Sequence, residues 1–329
     1  MLKVLAYIYE VIVKFRYKLY QLNILKSSKL DGVYVICIGN ITAGGTGKTP
    51  AVHYFAEKLL SEGKKCAVLS RGYMGKRKEE PLLVSDGIKI LSTPEESGDE
   101  AYLHALTLKC PVVVAKNRYA GAEFCKKEFQ TQYIIMDDGF QHIQFERDKN
   151  IILIDSTNPF GGEEMLPLGR LREPLSGLKR ADEFIITKSD LVSKDKLEEI
   201  IVKLKKYGKK ISKAIHSPGY FLNMDKRMEI AALSGKKAVL FSGIASPQNF
   251  KKTVLGFGVN IVKEISFRDH YIFKNKDILY IEEEFNKSEA DVILTTEKDF
   301  VKIEKIITPV FREKLYILKI EFKILEENI

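Results

Sequence analysis

Cysteine is scarce in this 329-residue chain: Cys37, Cys66, Cys110 and Cys125 stand far apart, and no two of them form a C-x-x-C pair. That excludes a disulfide framework and a cysteine-based zinc module, fits a reducing compartment, and leaves the thiols as small core residues. No apolar run approaches the roughly 20 residues a bilayer-spanning helix needs. Glycine and proline are modest, at 22 and 10, and no internal repeat or low-complexity tract is present. Disordered, collagen-like and polytopic membrane classes therefore fall away. With 45% hydrophobic residues, the chain is long enough for one large or two medium globular domains.

The net charge is +9, and it is unevenly spread. Residues 1–30 hold Lys3, Lys14, Arg16, Lys18, Lys26 and Lys29 against Glu10 alone, so more than half of the excess lies at the N-terminus. In the same stretch Leu5, Ile8, Ile12, Phe15, Leu19 and Leu22 recur at helical spacing, opposite Lys3, Glu10, Lys14 and Lys18. This is the pattern of a basic amphipathic helix. Glu10 interrupts the apolar stretch and no small-residue cleavage site follows, which argues against a signal peptide. Tyr7, Tyr9, Tyr17 and Tyr20 interleave with the cations as they would at lipid headgroup level, so the segment reads as a membrane-surface helix. The alternative is that the apolar stripe packs on the rest of the protein.

A short β-branched run, Val33 to Ile38, leads into Gly39-Asn-Ile-Thr-Ala-Gly-Gly-Thr-Gly-Lys-Thr-Pro50 and then a helical pattern through Leu60. Strand, glycine-rich loop and helix together form a P-loop. Thr42, Ala43, Gly44, Gly45, Thr46, Gly47, Lys48 and Thr49 are the candidate nucleotide cradle. Backbone N–H groups curl around phosphate oxygens, Lys48 reaches the β/γ-phosphates, and Thr49 offers a hydroxyl to Mg²⁺. Thr42 stands where the common spacing puts a glycine. Tyr133-Ile-Ile-Met-Asp-Asp-Gly-Phe-Gln-His142 is an apolar strand ending in Asp137 and Asp138. A P-loop fold keeps its second magnesium-holding acid there, and spacing alone does not rank the two. His142, a few residues on, is placed for proton handling or orientation.

Further strands are expected at Cys66–Ser70, Val112–Ala115, Ile151–Asp155 and Glu183–Thr187, alternating with helices near 98–109 and 118–130. That alternation predicts a doubly wound, mostly parallel α/β sheet covered on both faces. A strand at Ala238–Phe241 followed by Ser246-Pro247, a helix start, opens a second apolar region. The expected division is an amphipathic helix over 1–30, a P-loop domain over 31–225 and a smaller C-terminal α/β lobe over 226–329.

The chain resembles the tetraacyldisaccharide 4′-kinases of lipid A biosynthesis. The resemblance rests on Gly39–Pro50, Ser70-Arg-Gly-Tyr73, Gly98-Asp-Glu100, Asp137–His142, Arg147-Asp148, Leu166-Pro-Leu-Gly-Arg-Leu-Arg-Glu-Pro-Leu-Ser176, Gly243-Ile-Ala-Ser-Pro-Gln-Asn-Phe250, Arg268-Asp-His270 and Thr296-Glu-Lys-Asp299. Met74, Ala101, Asn117 and Gly162 depart from the family's usual residues, whereas Thr42 fits it. The resemblance implies an ATP- and Mg²⁺-dependent kinase that acts on the 4′-hydroxyl of a tetraacyl disaccharide 1-phosphate at the cytoplasmic face of the inner membrane. No nucleic-acid and no protein partner is expected. By resemblance Asp99 is the general base, with His142 hydrogen-bonded to it, and Arg170 reaches the transferring phosphoryl group beside Lys48. On residues alone Asp99 reads as a helix N-cap. Arg170 and Arg172 read as phosphoryl-reaching guanidiniums or as surface partners of Glu163, Glu164 or Glu173. Asp269 and His270 read as substrate-binding or domain-interface residues.

Two other classes share parts of this pattern. A membrane-associated ATPase switch of the partitioning type would carry a signature lysine at position 43, where this chain has Ala43. A GTPase would use Thr187-Lys-Ser-Asp190 to read guanine, against the plainer reading of a strand-end turn. Nucleic-acid binding finds no zinc finger, RNP-like motif or basic recognition helix beyond the N-terminal stripe.

Overall fold

Runs of Val and Ile too short for helices become strands wherever glycine or a capping residue stops them, and the intervening amphipathic stretches become the helices that cover them. The computed structural model describes residues 1–325 apart from Asp225, Ala245 and His270. The chain divides into two units, Met1–His216 with residues 322–325, and Ser217–Glu321. Sequence reading places a boundary near 215–230, with 225 as the dividing residue; the units part after His216, inside the one extended run Lys210–Asn223.

The first unit opens with α1 (Leu2–Gln21). Then come β1 (Tyr34–Gly39), α2 (Lys48–Ser61), β2 (Cys66–Ser70), β3 (Leu82–Asp86), α3 (Pro94–Ser97), α4 (Asp99–Thr107) and β4 (Pro111–Val114). It continues through α5 (Arg118–Phe129), β5 (Tyr133–Asp137), β6 (Lys149–Asp155), β7 (Glu183–Thr187), α6 (Lys194–Lys205) and β8 (Lys210–Asn223). The strand order is β3-β4-β2-β5-β1-β6-β7-β8. All neighbours are parallel except β3 on β4. From β1 the chain moves outward through β2 to β3 and β4, returns to β5 beside β1, and continues on the other side through β6 and β7. The C-terminal ends of β1, β5 and β6 thus meet at the reversal, where doubly wound sheets bind ligands. Val35, Cys37, Ile134 and Met136 pack on one face of the sheet, and Ile36, Ile38, Ile135 and Ile151 on the other. All four cysteines are buried, as expected of core residues.

The face of α1 that meets the protein is not the apolar stripe. Ala6 is buried, Tyr9 and Val13 pack on the first core, and the Tyr9 and Tyr17 hydroxyls donate to the Arg172 carbonyl (2.9 Å) and to Glu173 Oε2 (2.5 Å). Leu5, Ile8, Ile12, Phe15 and Leu22 stay 45–62% exposed. Two of the four tyrosines expected at headgroup level, Tyr9 and Tyr17, are therefore docking residues, because their hydroxyls find partners within the protein. Among the described residues no helix is long and apolar enough to cross a membrane.

The second unit holds β9 (Lys226–Met228), β10 (Lys237–Ser242), α7 (Pro247–Leu255), β11 (Asn260–Ser266) and α8 (Asn275–Lys287). It ends with β12 (Val292–Thr296), α9 (Glu297–Ile303), α10 (Pro309–Lys314) and β13 (Leu315–Leu325). Its strand order is β11-β10-β12-β13-β8, with β9 antiparallel to β8. Val239, Phe241, Ile293 and Phe311 centre one of its cores, and Ala238, Leu240, Val254 and Leu294 the other.

Candidate active site

The glycine loop leaves β1 at Gly39 and enters α2 at Lys48. Gly47 turns the corner with φ 86°, and a Cβ there would lie 2.2 Å from the His216 ring, so both backbone sign and space require glycine. A second segment clasps the loop from outside. The Ala43 N–H donates to the Arg170 carbonyl (2.7 Å) and the Arg172 N–H to the Ile41 carbonyl (2.8 Å), a short antiparallel bridge. That bridge explains why Leu166–Pro174 carries two arginines to the loop. The Arg170 guanidinium lies 3.7 Å from where a Gly44 Cβ would be. Arg172 turns inward and makes a two-pronged ion pair with Asp138, at 2.9 and 2.7 Å, the fork geometry that suits a carboxylate. It also donates to the Asn40 carbonyl (3.0 Å) and to Asn40 Oδ1. Two of the three surface partners considered for these arginines are engaged elsewhere: Glu163 pairs with Lys203 and Glu173 with Arg180.

Lys48 Nζ donates to Asn40 Oδ1 at 3.3 Å and lies 3.8 Å from Asp138. Burial disfavours the charge on Asp138, but Lys48, Arg172 and Arg118 together overcome it and hold the carboxyl below its usual range. Asp138 also has φ 52°, in the left-handed region. Asp137 ends β5 opposite Ile38, is 2% exposed, and leaves Oδ1 buried without a hydrogen-bond partner among the described residues. The two adjacent carboxylates thus differ. Both oxygens of Asp138 are taken by Arg172, whereas Asp137 keeps one oxygen open.

Asp99 is the first residue of α4, and the N-cap is Gly98, whose φ of 85° and 2.5 Å clearance from the Tyr73 carbonyl exclude a side chain. The N-cap reading of Asp99 is therefore replaced by a half-buried carboxylate in the first turn. His142 lies in the turn after β5, its N–H donating to the Gly139 carbonyl at 2.9 Å. Burial, then the positive field of Arg118, Arg147, Arg16 and Arg71, pushes its imidazole down to about 4. Asp99 and His142 enter on separate segments. Thr49 is buried in the first turn of α2. His270 lies outside the described residues.

The sequence does not single out His216 and Arg118, and the Thr187–Asp190 motif reads there only as a guanine reader or a strand-end turn. Lys188, at φ 54°, donates to the Gly45 carbonyl (3.1 Å) and pairs with Asp155. Thr187 Oγ1 donates to the Thr46 carbonyl (3.1 Å). The Thr187–Asp190 motif is thereby a second clasp on the loop. His216 packs on Gly47; burial, then Lys188, pushes its imidazole down to about 4 against the pull of Asp155 and Asp190. Arg118 is buried, and that burial, together with Arg71, lowers it to about 10 against Asp137 and Asp138.

The lowered histidines predict an acid limb of stability. Below the ordinary value of 6.5 the unfolded chain binds protons that His142 and His216 refuse until about pH 4. Their contribution is complete above pH 6.5 and is lost as pH falls toward 4. The Tm should fall over that window, and His216→Gln should flatten the slope. An equally steep slope in that variant would show that His216 does not carry it.

The family model described as LpxK, Tetraacyldisaccharide-1-P 4'-kinase, matches residues 1–329. The chain belongs to this family. It is 38% identical to the tetraacyldisaccharide 4'-kinase of Halothermothrix orenii, over 98% of this chain and 88% of that one. With the tetraacyldisaccharide 4'-kinase of Desulfatibacillum aliphaticivorans it shares 36% identity, over 92% of this chain and 83% of the relative. Among solved structures, LpxK from Aquifex aeolicus in complex with ATP superposes with a TM-score of 0.80 at 32% identity, covering 98% of this chain and 93% of that one. The family's fold, a doubly wound α/β P-loop kinase, is the one described above.

Proposed function

We propose that the protein transfers the γ-phosphoryl group of ATP to the 4′-hydroxyl of a tetraacyl disaccharide 1-phosphate while held at the cytoplasmic face of the inner membrane. The observation that carries this reading is the double clasp of the glycine loop, by residues 170–172 on one side and Lys188 on the other, beside paired carboxylates in a chain of this family.

In this reading the loop N–H groups and Lys48 bind the triphosphate, and Arg170 meets the charge that develops on the transferring group. Asp99 accepts the proton of the attacking hydroxyl. His142, neutral near pH 7 because its imidazole is lowered to about 4, is available to orient Asp99 or take up that proton. Mg²⁺ in phosphoryl-transfer sites binds through one or two carboxylates plus phosphate oxygens. The partnerless buried oxygen of Asp137 and the Thr49 hydroxyl fit that donor set, with Asp138 held back by Arg172. The ion would neutralise the triphosphate charge and orient its oxygens.

The exposed stripe of α1 supports attachment to the membrane. Five half-exposed apolar side chains would each contribute about 1 kcal/mol on entering the interface. Basic residues beside them add roughly 1 kcal/mol apiece against anionic lipid. Ile12→Glu with Phe15→Glu should lower binding to anionic vesicles at least tenfold without disturbing the Tyr9 and Tyr17 contacts. Unchanged co-sedimentation would move the membrane contact elsewhere.

The deciding assay incubates the protein with γ-labelled ATP, Mg²⁺ and tetraacyl disaccharide 1-phosphate in detergent and separates the lipids. Label in the lipid is expected. Label released only as inorganic phosphate, or a preference for GTP, would favour the ATPase or GTPase switch.

A further inference from the structure

Behind the open oxygen of Asp137 lies a chain of side chains that the phosphoryl-transfer scheme does not use. Asp137 Oδ2 is 3.2 Å from His104 Nε2, and His104 Nδ1 is 3.0 Å from His53 Nε2, with the two rings edge-on at 79°. His104 is fully buried, Asp137 is 2% exposed, and His53 is half-buried. An ionised carboxylate only accepts hydrogen bonds, so Nε2 of His104 carries the hydrogen that faces Asp137. One further proton lies between the two imidazoles. The order of groups is carboxylate, imidazole, imidazole, and each link is within hydrogen-bond distance.

Placement along the chain gives this relay a purpose. His53 is four residues after Thr49 on α2, so the two share a helix face one turn apart. His104 lies on α4, the helix that Asp99 opens. Asp137 ends β5. The relay therefore ties together the three elements that carry Thr49, Asp99 and Asp137. It also occupies Oδ2 with a donor, which fixes the carboxylate's rotation and leaves Oδ1 as the oxygen without a partner. A carboxylate free to rotate would present either oxygen and would have to be ordered when a cation binds. One held by a buried donor is ordered beforehand.

We propose that His104, backed by His53, is a positioning residue that orients Asp137 for the divalent cation and pins α2 and α4 to it. The proposal rests on the reading above of Asp137 as the cation-holding carboxylate. Neither imidazole touches the reacting atoms.

The test uses full-length protein saturated with a non-hydrolysable ATP analogue, with Mn²⁺ as the probe and free Mn²⁺ read by electron paramagnetic resonance. His104→Ala should weaken Mn²⁺ binding about tenfold or more, the range found when partners of metal ligands are removed. Affinity for the analogue without metal should stay within about twofold of the wild type. His104→Gln, whose amide N–H replaces the imidazole donor, should recover most of the loss. His53→Phe, which keeps a ring but removes the nitrogen facing Nδ1, should fall between. Wild-type Mn²⁺ affinity in folded His104→Ala, alongside weakened binding in Asp137→Asn, would overturn the relay alone. Unchanged affinity in Asp137→Asn would overturn both the relay and the Asp137 reading. Should His104→Ala fail to fold, the order wild type, His104→Gln, His53→Phe decides, and equal affinities across the three would overturn the proposal.

Discussion

Lys48→Ala should reduce phosphoryl transfer by a factor on the order of 10³, as loss of a charge-stabilising donor in a preorganised site does. The ammonium is held by Asn40 Oδ1 at 3.3 Å and lies 3.8 Å from Asp138, with its side chain 13% exposed. It is thus positioned before substrate arrives and needs little reorganisation. Removing it also deprives Asp138 of one of the three cations that keep it ionised despite burial. Arg172 remains on Asp138 through both prongs, so the fold of the loop should survive. Single-turnover measurement with labelled ATP, together with a thermal melt, separates the two effects. A Tm near the wild type with kcat within tenfold would remove Lys48 from the reaction.

Asp99→Asn should lower kcat by on the order of 10² or more, the usual contribution of a positioned general base. The substitution keeps the shape of the side chain at the start of α4. Asp99 is not the N-cap, so no cap hydrogen bond is lost. The removed charge at the first turn costs roughly 0.3–1 kcal/mol through the helix dipole. ATP affinity should stay within about threefold, because the glycine loop and its two clasps lie on other segments. A drop in kcat without a rise in Kd for ATP is therefore the expected signature. Wild-type kcat would assign the base elsewhere.

These two variants touch residues of very different legibility. Lys48 announces itself because strand, glycine loop and helix are contiguous, and each residue type there has a local reason. Asp99 was visible only through family resemblance. Alone it is one acidic residue before a helix, and its correct position, one past a glycine N-cap, depends on the Tyr73 carbonyl crossing close to Gly98. Arg172 illustrates the same limit. Sequence offered two arginines in one loop, and the antiparallel bridge at Thr42 and Leu171 sends one into the fork on Asp138 while the other stays at Gly44.

Periodicity and local chemistry by themselves determined the α/β class, the parallel alternation, the P-loop and the amphipathic character of α1, because each depends on residues within one or two turns of one another. Which face of α1 meets the protein was decided by Tyr9 and Tyr17 finding Arg172 and Glu173, more than 150 residues away along the chain. Only the tertiary structure distinguished Asp137 from Asp138, converted Thr187–Asp190 into a clasp, and joined His53, His104 and Asp137. The physical reason is common to all three. Parallel strands are linked by long crossovers, so strand ends, the loops beyond them and the helices that cover them bring together residues far apart in sequence, and no spacing rule along the chain encodes their meeting.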